Sequence, residues 1–224
     1  MDRRWYEYSP YVGSAYKYVS GSVPDLPLPV CSACGRYGLI ETVVPHRLQP
    51  GRYFPALMHI DDWVTYSVFS EPALDAFSQA GLTGIEVISE FTLLDKQDEP
   101  LTDLPVRYYA VNTTGRIDLD EKAMHLKRRN ECPVCGSFSW NREKMYDAYF
   151  DENSWDGSDF CRLGRIGRGC ICTQRVLDVI AKKKLRGITL RYGHDLFRVR
   201  ELDLKAHQKM IAAGKEYTPC YLRR

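Results

Sequence analysis

The sequence predicts an α+β fold made of two related halves, each with a CxxCG knuckle and a helix–turn–strand unit. Two recurring features predict it. The motif CSACG at residues 31–35 recurs as CPVCG at residues 132–136, at an offset of 101. Residues 70–87 recur as residues 173–190, at an offset of 103. Because two differently built features recur at nearly one offset, they indicate an internal duplication.

The helix–turn–strand units follow from the same local pattern in each copy. Ser70 and Thr173 stand where N-caps stand, and their hydroxyls can accept a bond from an unpaired backbone N–H. In the first copy, Leu74 and Phe77 share one helical face, and Gly81 is placed to end the helix in a left-handed turn. Alternating apolar residues then predict half-buried strands. These are Ile85 and Val87 in the first copy, and Ile188 and Leu190 in the second.

The bulk properties suit an ordinary globular protein. A chain of 224 residues with 44% hydrophobic residues can form one large domain or two small ones. We place the halves at residues 1–110 and 111–224, possibly packed as one pseudo-symmetric domain, with a polar loop at 95–105 near the join. With no membrane-spanning run and no signal peptide in the sequence, we expect a cytoplasmic protein that does not associate with a membrane.

The knuckles predict a metal site. In each, a CxxC pair puts two sulfurs on one side of a turn, and the following Gly35 or Gly136 permits a positive φ. Four thiolates are what a tetrahedral zinc site needs, and eight cysteines in a reducing compartment point to metal or burial before disulfides. An iron–sulfur cluster also uses four thiolates, and two bare turns without metal are a third reading. The predicted ligands are Cys31, Cys34, Cys132 and Cys135.

The spacing of the two pairs is unusual for one site. Ordinary zinc ribbons separate their pairs by about 15–20 residues, whereas here 97 residues lie between Cys34 and Cys132. A shared ion therefore requires the halves to meet across a pseudo-two-fold axis. Of the other cysteines, Cys161, Cys170 and Cys172 are predicted to lie in the core, and Cys220 carries no interpretation.

The motifs of common enzyme classes do not occur in the sequence. Five histidines are scattered without an HExxH pair, and neither a GxSxG motif nor a phosphate loop is present. The run RLGRIGRG at residues 162–169 reads as a glycine-rich turn, because the glycines stand in the reverse order of a dinucleotide fingerprint. We therefore predict a protein that is not an enzyme.

An acidic segment rich in aromatics, residues 147–160, is the candidate partner-binding surface. It holds five carboxylates without a Lys or Arg, and aromatic side chains within a charged rim are typical of binding hot spots. The alternative is a solvated loop whose aromatics pack into the core. The candidate residues are Asp147, Asp151, Glu152, Trp155 and Asp156.

The order of these motifs resembles the double-CXXCG family of bacterial immunity proteins. The likeness is carried by residues 26–35 around the first knuckle, by residues 74–85, and by the second knuckle at residues 132–136. It continues through Ser158-Asp-Phe-Cys-Arg-Leu163, similar to that family's Asp-x-Phe-Arg-Leu element except for Cys161, and through residues 173–188. Residues of about 88–130 do not match.

The resemblance implies neutralisation of a contact-delivered polymorphic toxin by binding, as used in interbacterial competition. The partner is then the cognate toxin domain. A zinc-ribbon module that binds nucleic acid is the alternative, favoured by the four thiolates and by the basic run at residues 162–191. A net charge of +2 and the acidic segment disfavour it, since committed nucleic-acid binders are usually more basic.

Overall fold

The α+β class is confirmed. The structure is a computed structural model that describes residues 5–10, 17–18, 30–36, 42–49, 54–58, 65–140, 148–163, 170–192, 209 and 212–213. Its helices are α1 (Glu71–Gln79) and α2 (Gln174–Lys183). The strands are β1 (Trp5–Pro10), β2 (Lys17–Tyr18), β3 (His46–Gln49), β4 (Leu57–Met58), β5 (Ser67–Ser70), β6 (Ile85–Glu90), β7 (Leu93–Leu94), β8 (Tyr108–Thr113), β9 (Gly115–Leu119), β10 (Arg128–Arg129), β11 (Ser139–Trp140), β12 (Phe150–Asp151), β13 (Phe160–Leu163), β14 (Cys170–Thr173) and β15 (Ile188–Tyr192).

Both predicted helix–turn–strand units are present, and each is preceded by a strand. The first unit runs β5–α1–β6 and the second runs β14–α2–β15. Each element of the second begins 103 residues after its counterpart, as the pairs Ser67 and Cys170, Glu71 and Gln174, and Ile85 and Ile188 show.

Each unit lies in a sheet completed by a strand that is distant in sequence. The four-stranded sheet has the order β4-β5-β8-β6, and the six-stranded sheet has the order β12-β9-β13-β14-β1-β15. In the six-stranded sheet, β1 from the N-terminus lies between the two strands of the second unit. In the four-stranded sheet, β8 lies between the strands of the first unit and spans the predicted boundary at residues 110–111. Both large sheets therefore combine segments from both sides of that boundary.

The strand registers of the two sheets correspond. Ser70 faces Tyr108 in the first, and Thr173 faces Trp5 in the second, again 103 residues apart on both strands. The pairing of β4 with β5 matches that of β13 with β14 in the same way. The pairings of β6 and β15 agree up to Val87, where a β-bulge shifts the register of β6.

The turn that follows each helix bonds to the chain before the other unit. The N–H of Ala56 donates to the carbonyl of Arg186 at 2.6 Å, and the N–H of Asp159 donates to the carbonyl of Thr83 at 3.2 Å. These two reciprocal hydrogen bonds connect the two sheets through residues that are far apart in the sequence.

The main core lies between the two units and is largely aromatic. Tyr8, Phe69, Phe77 and Phe160 come from β1, β5, α1 and β13, and all are buried. The rings of Phe77 and Phe160 approach edge to face at 5.1 Å between centroids. Because this cluster draws from both sides of the predicted boundary, burial of its apolar surface holds the two sheets together.

The helix ends agree in part with the sequence. Ser70 and Thr173 occupy the N-cap positions, but neither side chain caps its helix, which corrects the prediction. Thr173 Oγ1 instead donates to the carboxylate of Asp159 at 2.7 Å, so the hydroxyl is oriented toward this buried acceptor and accepts no bond from the first turn of the helix. At the other end Gly81 has a φ of +61°, as predicted, and Lys184 takes the same left-handed position in α2. None of the helices described is long and apolar enough to cross a bilayer.

Candidate metal centre

The two knuckles form the same closed turn. In the first, the N–H of Cys31 donates to the carbonyl of Arg36 and the N–H of Gly35 donates back to the carbonyl of Cys31, both at 2.9 Å. The second knuckle repeats both bonds at 2.8 and 2.9 Å. The predicted left-handed glycines are present, with φ of +67° at Gly35 and +66° at Gly136. Since a side chain is strained at that φ, glycine lets the turn close around the sulfurs.

The second knuckle is the loop of a short hairpin. Strands β10 and β11 pair in an antiparallel register on either side of it. The Arg128 guanidinium lies 4.9 Å from the centre of the Phe138 ring and forms a salt bridge with Glu121. These contacts fix the base of the hairpin, so the positions of its two sulfurs are set by packing and pairing outside the turn.

The structure brings the four predicted cysteine ligands together. Their sulfurs all lie within 4.8 Å of one another. Across the two knuckles, Sγ of Cys31 lies 3.7 Å from that of Cys132, and Sγ of Cys34 lies 3.7 Å from that of Cys135. All four are free thiols, and these distances far exceed the roughly 2.05 Å of a disulfide.

These separations fit four ligands around one small ion. A tetrahedron with metal–sulfur bonds of about 2.3 Å has sulfur–sulfur edges of roughly 3.8 Å. A cluster interposes several iron and sulfide atoms between the thiolates, which spreads them beyond a single tetrahedral edge. The arrangement could therefore hold one tetrahedral ion with little movement, whereas a cluster would require the knuckles to separate.

The environment favours thiolates at the exposed side of the centre. The hydroxyl of Ser137, 3.0 Å from Sγ of Cys135, and then its backbone N–H lower the pKa of that thiol to about 6. The backbone N–H of Arg36 is the largest of the groups that lower the pKa of Cys34. Metal ions bind thiolates, so both shifts prepare the site for a cation at neutral pH.

Ser137 is the residue that sequence reasoning missed. Its hydroxyl lies beside Cys135 and 3.8 Å from Sγ of Cys34, so it contacts one sulfur from each knuckle. Hydroxyl and amide donors around a thiolate orient it and tune its charge. The sequence feature that could have indicated this role is a serine directly after CPVCG, at the position that Arg36 has after the first knuckle.

The remaining cysteines lie where core residues lie. Cys161 and Cys172 are fully buried, as predicted, and Cys170 is half-buried. Burial raises the pKa of Cys161 to about 12, so this thiol stays protonated and inert. Cys220 lies outside the described residues.

The acidic segment contacts the rest of the fold at two of its candidate positions, Trp155 and Asp156. The Trp155 ring packs edge to face on Trp5 at 5.1 Å, and Trp155 Nε1 donates to the Ser158 carbonyl at 2.8 Å. The Asp156 carboxylate accepts the backbone N–H of Arg116 at 3.1 Å. These contacts match the alternative in which the aromatics pack into the core.

Two candidate positions in the same segment are placed differently. The Asp151 carboxylate accepts the N–H of Asn153 and so caps a 3-10 helix at Glu152–Ser154. Glu152 itself is exposed on that helix. Asp147 lies outside the described residues. The role of the segment in partner binding stays a prediction, with Glu152 and Asp156 as its exposed candidate residues.

The basic run after the segment is partly engaged within the protein. The Arg175 guanidinium donates to the buried Asp159 carboxylate at 2.8 Å and to the carbonyls of Ala80 and Gly81, at the end of α1. Arg162 donates to the Asn112 side chain at 2.6 Å. Residues 164–169 of the glycine-rich turn lie outside the described residues.

No protein-family model and no curated protein matched the sequence.

Proposed function

We propose that this protein is a zinc-stabilised binding protein, without catalytic activity, whose partner is an antibacterial toxin acting in the cytosol. The observation that carries the first part is the set of four cysteine sulfurs within 4.8 Å. Catalytic zinc keeps a position open for water or substrate, whereas structural zinc has four protein ligands. Four thiolates around one ion leave no open position, so the centre serves the fold.

Zinc is the metal that this donor set favours. Soft thiolates in a tetrahedral arrangement select zinc or iron, and zinc does not require redox partners. Metal analysis of protein purified without chelators should find about one zinc per chain. A folded protein that contains no metal contradicts the proposal. Visible absorbance with bound iron and sulfide would instead identify an iron–sulfur centre.

The toxin partner rests on the order of sequence motifs. Two knuckles and two helix–turn–strand units in this order resemble the double-CXXCG immunity family, and the resemblance implies inhibition by stoichiometric binding. The expected partner is the toxin encoded by a neighbouring gene. Co-expression tests this directly, because cells that make the toxin should survive only when this protein is present in comparable amount.

Stoichiometry separates inhibition from repair. Rescue at a small fraction of the toxin level indicates an enzyme that reverses the damage, which contradicts the proposal. Cys34→Ser, which removes a metal ligand, should abolish rescue by lowering the level of folded protein. Loss of rescue at an unchanged folded level would instead place the metal centre in the inhibitory contact.

The acidic segment is best tested at Glu152. Its side chain is exposed, so Glu152→Lys reverses a charge with little effect on the fold. If the segment faces a basic toxin surface, this variant should mainly slow association. Trp155→Ala, in contrast, removes a ring that packs on Trp5 and so also affects the fold. A loss of toxin binding by this variant is informative only when the variant and the wild type are compared at equal concentrations of folded protein. Unchanged association for Glu152→Lys removes the segment from the proposed interface.

The relation between the halves is part of the same proposal. We infer that they arose by duplication and pack as one pseudo-symmetric domain in which β1 and β8 are exchanged. The matched registers at an offset of 103 and the reciprocal bonds of Ala56 and Asp159 support it. Each knuckle then meets its counterpart because the symmetry brings the same surface of each half together.

Nucleic-acid binding is the competing function. Arg162 and Arg175, at the start and middle of the basic run, are already bonded to protein groups, which weakens that alternative. A gel-shift assay on arbitrary DNA and RNA at increasing salt discriminates the two. Salt-dependent binding together with failure of the co-expression rescue would replace the toxin proposal.

A further inference from the structure

Strand β6 exposes apolar side chains at the edge of the four-stranded sheet. Val87 is 51% exposed and Ile88 is 48% exposed, next to the β-bulge. Within the described part of the chain β6 pairs only with β8, so its other side forms no strand pairing there. Such an edge offers backbone hydrogen-bonding groups in a row to an added strand.

The corresponding strand of the second unit provides an internal comparison. Leu190 of β15 faces Tyr8 as Val87 of β6 faces Val111, at equivalent register positions. Leu190 is only 4% exposed and belongs to the main core. Both strands lie at the end of their sheets, but the side chain at this position is buried in β15 and exposed in β6, which singles out β6.

Charge defines what can cover this edge. Glu86 and Glu90 stand on either side of the apolar pair, and both are exposed. The pKa of the Arg107 guanidinium is raised chiefly by its bond to Glu71, and Glu90 makes the smallest contribution, so Glu90 is not paired closely with it. The edge thus presents two apolar side chains between two carboxylates.

We propose that β6 binds an extended segment of a partner protein, which adds to the sheet as a further strand. The segment has apolar residues that contact Val87 and Ile88, flanked by Lys or Arg that pair with Glu86 and Glu90. Strand addition draws affinity from backbone hydrogen bonds and specificity from side chains on the exposed face. Opposite charges across a strand pair stabilise it, and like charges destabilise it.

A second copy of the chain does not fit the same edge. Two β6 strands paired with each other bring four carboxylates, Glu86 and Glu90 from each chain, along one short seam. A bulge and charged side chains on an edge strand also disfavour non-specific pairing with the edge strands of other chains. The combination selects a basic partner strand over a neutral or acidic one. The surface does not involve the four cysteines, and the inference does not depend on a toxin partner.

The test uses the full chain and three short peptides. The probe is the peptide KTVTVTK, with ETVTVTE as the charge control and KTVPVTK as a control whose central proline breaks strand pairing. Backbone amide NMR should show KTVTVTK perturbing residues 85–90, with both controls weaker by about tenfold or more. Equal perturbation by all three peptides, or none at millimolar peptide, overturns the proposal.

Variants locate the site and separate it from misfolding. Val87→Lys should weaken binding of KTVTVTK by about tenfold, from lost apolar contact and charge repulsion. Val134→Lys is the matched control, since Val134 is an exposed valine in the second knuckle, and it should bind as wild type. Glu86→Lys with Glu90→Lys should shift the preference to ETVTVTE. An unchanged preference, or β6 perturbations that grow with protein concentration alone, contradicts a basic partner strand.

Discussion

At the scale of single residues, the cysteines divide into two chemical classes. Cys135, with a pKa of about 6, is exposed and lies beside the Ser137 hydroxyl. Cys161, with a pKa of about 12, is buried in β13, between β9 and β14. The same side chain is therefore a ligand in one place and a small apolar residue in the other.

This division predicts a difference in thiol reactivity. Below its pKa a thiol is protonated and unreactive, so at pH 7.5 the Cys135 thiolate is populated and that of Cys161 is not. In metal-free protein, iodoacetamide should modify Cys135 well before Cys161, and bound metal should protect Cys135. Peptide mapping by mass spectrometry measures both rates. Equal rates in folded protein would contradict the burial of Cys161.

Asp159 is the residue that most directly joins the two units. The residue is 2% exposed, and its carboxylate accepts bonds from the Thr83 N–H, the Thr173 hydroxyl and Arg175. Asp159 therefore connects the chain before β13 with the turn after α1 and with the start of α2.

Removal of the Asp159 carboxylate should lower the free energy of unfolding substantially. Asp159→Ala removes the buried acceptor of the Thr83 N–H and the Thr173 hydroxyl and the ion pair with Arg175, which should lower the free energy of unfolding by about 3 kcal/mol. Asp178→Ala is the control, because Asp178 is exposed and accepts only an i,i+4 bond from Gln174. That variant should lose no more than about 0.5 kcal/mol. Chemical denaturation measures the free energy of unfolding of both variants. Equal losses would contradict a structural role of Asp159 in connecting the two units.

At the scale of elements, the turn after each helix is set by close approach. A Cβ on Gly84 would lie 2.1 Å from the carbonyl oxygen of Phe160, and a Cβ on Gly187 would lie 2.3 Å from Pro55. Both glycines also have positive φ. These turns therefore admit only glycine, because the backbone of the other unit passes directly against them.

Substitutions at Gly81 and Gly84, the two glycines of the first turn, distinguish the cost of a strained backbone from the cost of a steric clash. Gly81→Ala, at a φ of +61° in open space, should cost about 1 kcal/mol. Gly84→Ala adds a clash with backbone that cannot rotate away and should cost about 3 kcal/mol or more. Thermal or denaturant unfolding of both variants measures the difference. Equal costs would mean that the two sheets are less closely packed at this turn.

At the scale of the whole molecule, one ion bound by all four cysteines would close a long loop of chain. It would join Cys34 to Cys132, which have 97 residues between them, compared with about 15–20 in an ordinary zinc ribbon. A crosslink of that length would restrict the unfolded chain strongly and would connect the N-terminal and C-terminal parts of the folded chain. Loss of any one ligand should therefore weaken the whole molecule.

A double-mutant cycle tests whether one ion is shared. Cys34→Ser and Cys135→Ser should each lower the melting temperature by at least about 5 °C, and together by little more than either alone. The reason is that either substitution already removes the ion. Ser32→Ala, in the exposed tip of the first knuckle, serves as the control and should be nearly silent. Strictly additive losses would indicate two independent knuckles.

The sequence by itself determined the local features of this protein. The apolar spacing and turn residues define both helix–turn–strand units, and the left-handed glycines at 35, 81 and 136 follow from motif position. It also identified the two CxxC pairs as candidate metal ligands, while leaving open whether they share one ion. Each of these depends on interactions within a few residues, where periodicity and backbone preference dominate.

Only the tertiary structure decided how these parts combine. The insertion of β1 between β14 and β15, the meeting of the knuckles, and the burial of Asp159 all join residues far apart along the chain. Neither the Ser70 nor the Thr173 hydroxyl caps its helix, and that of Thr173 donates to a buried carboxylate from another part of the chain. Trp155 likewise packs against Trp5, 150 residues earlier. Such pairings are set by which surfaces the whole fold buries, and local sequence patterns carry no record of them.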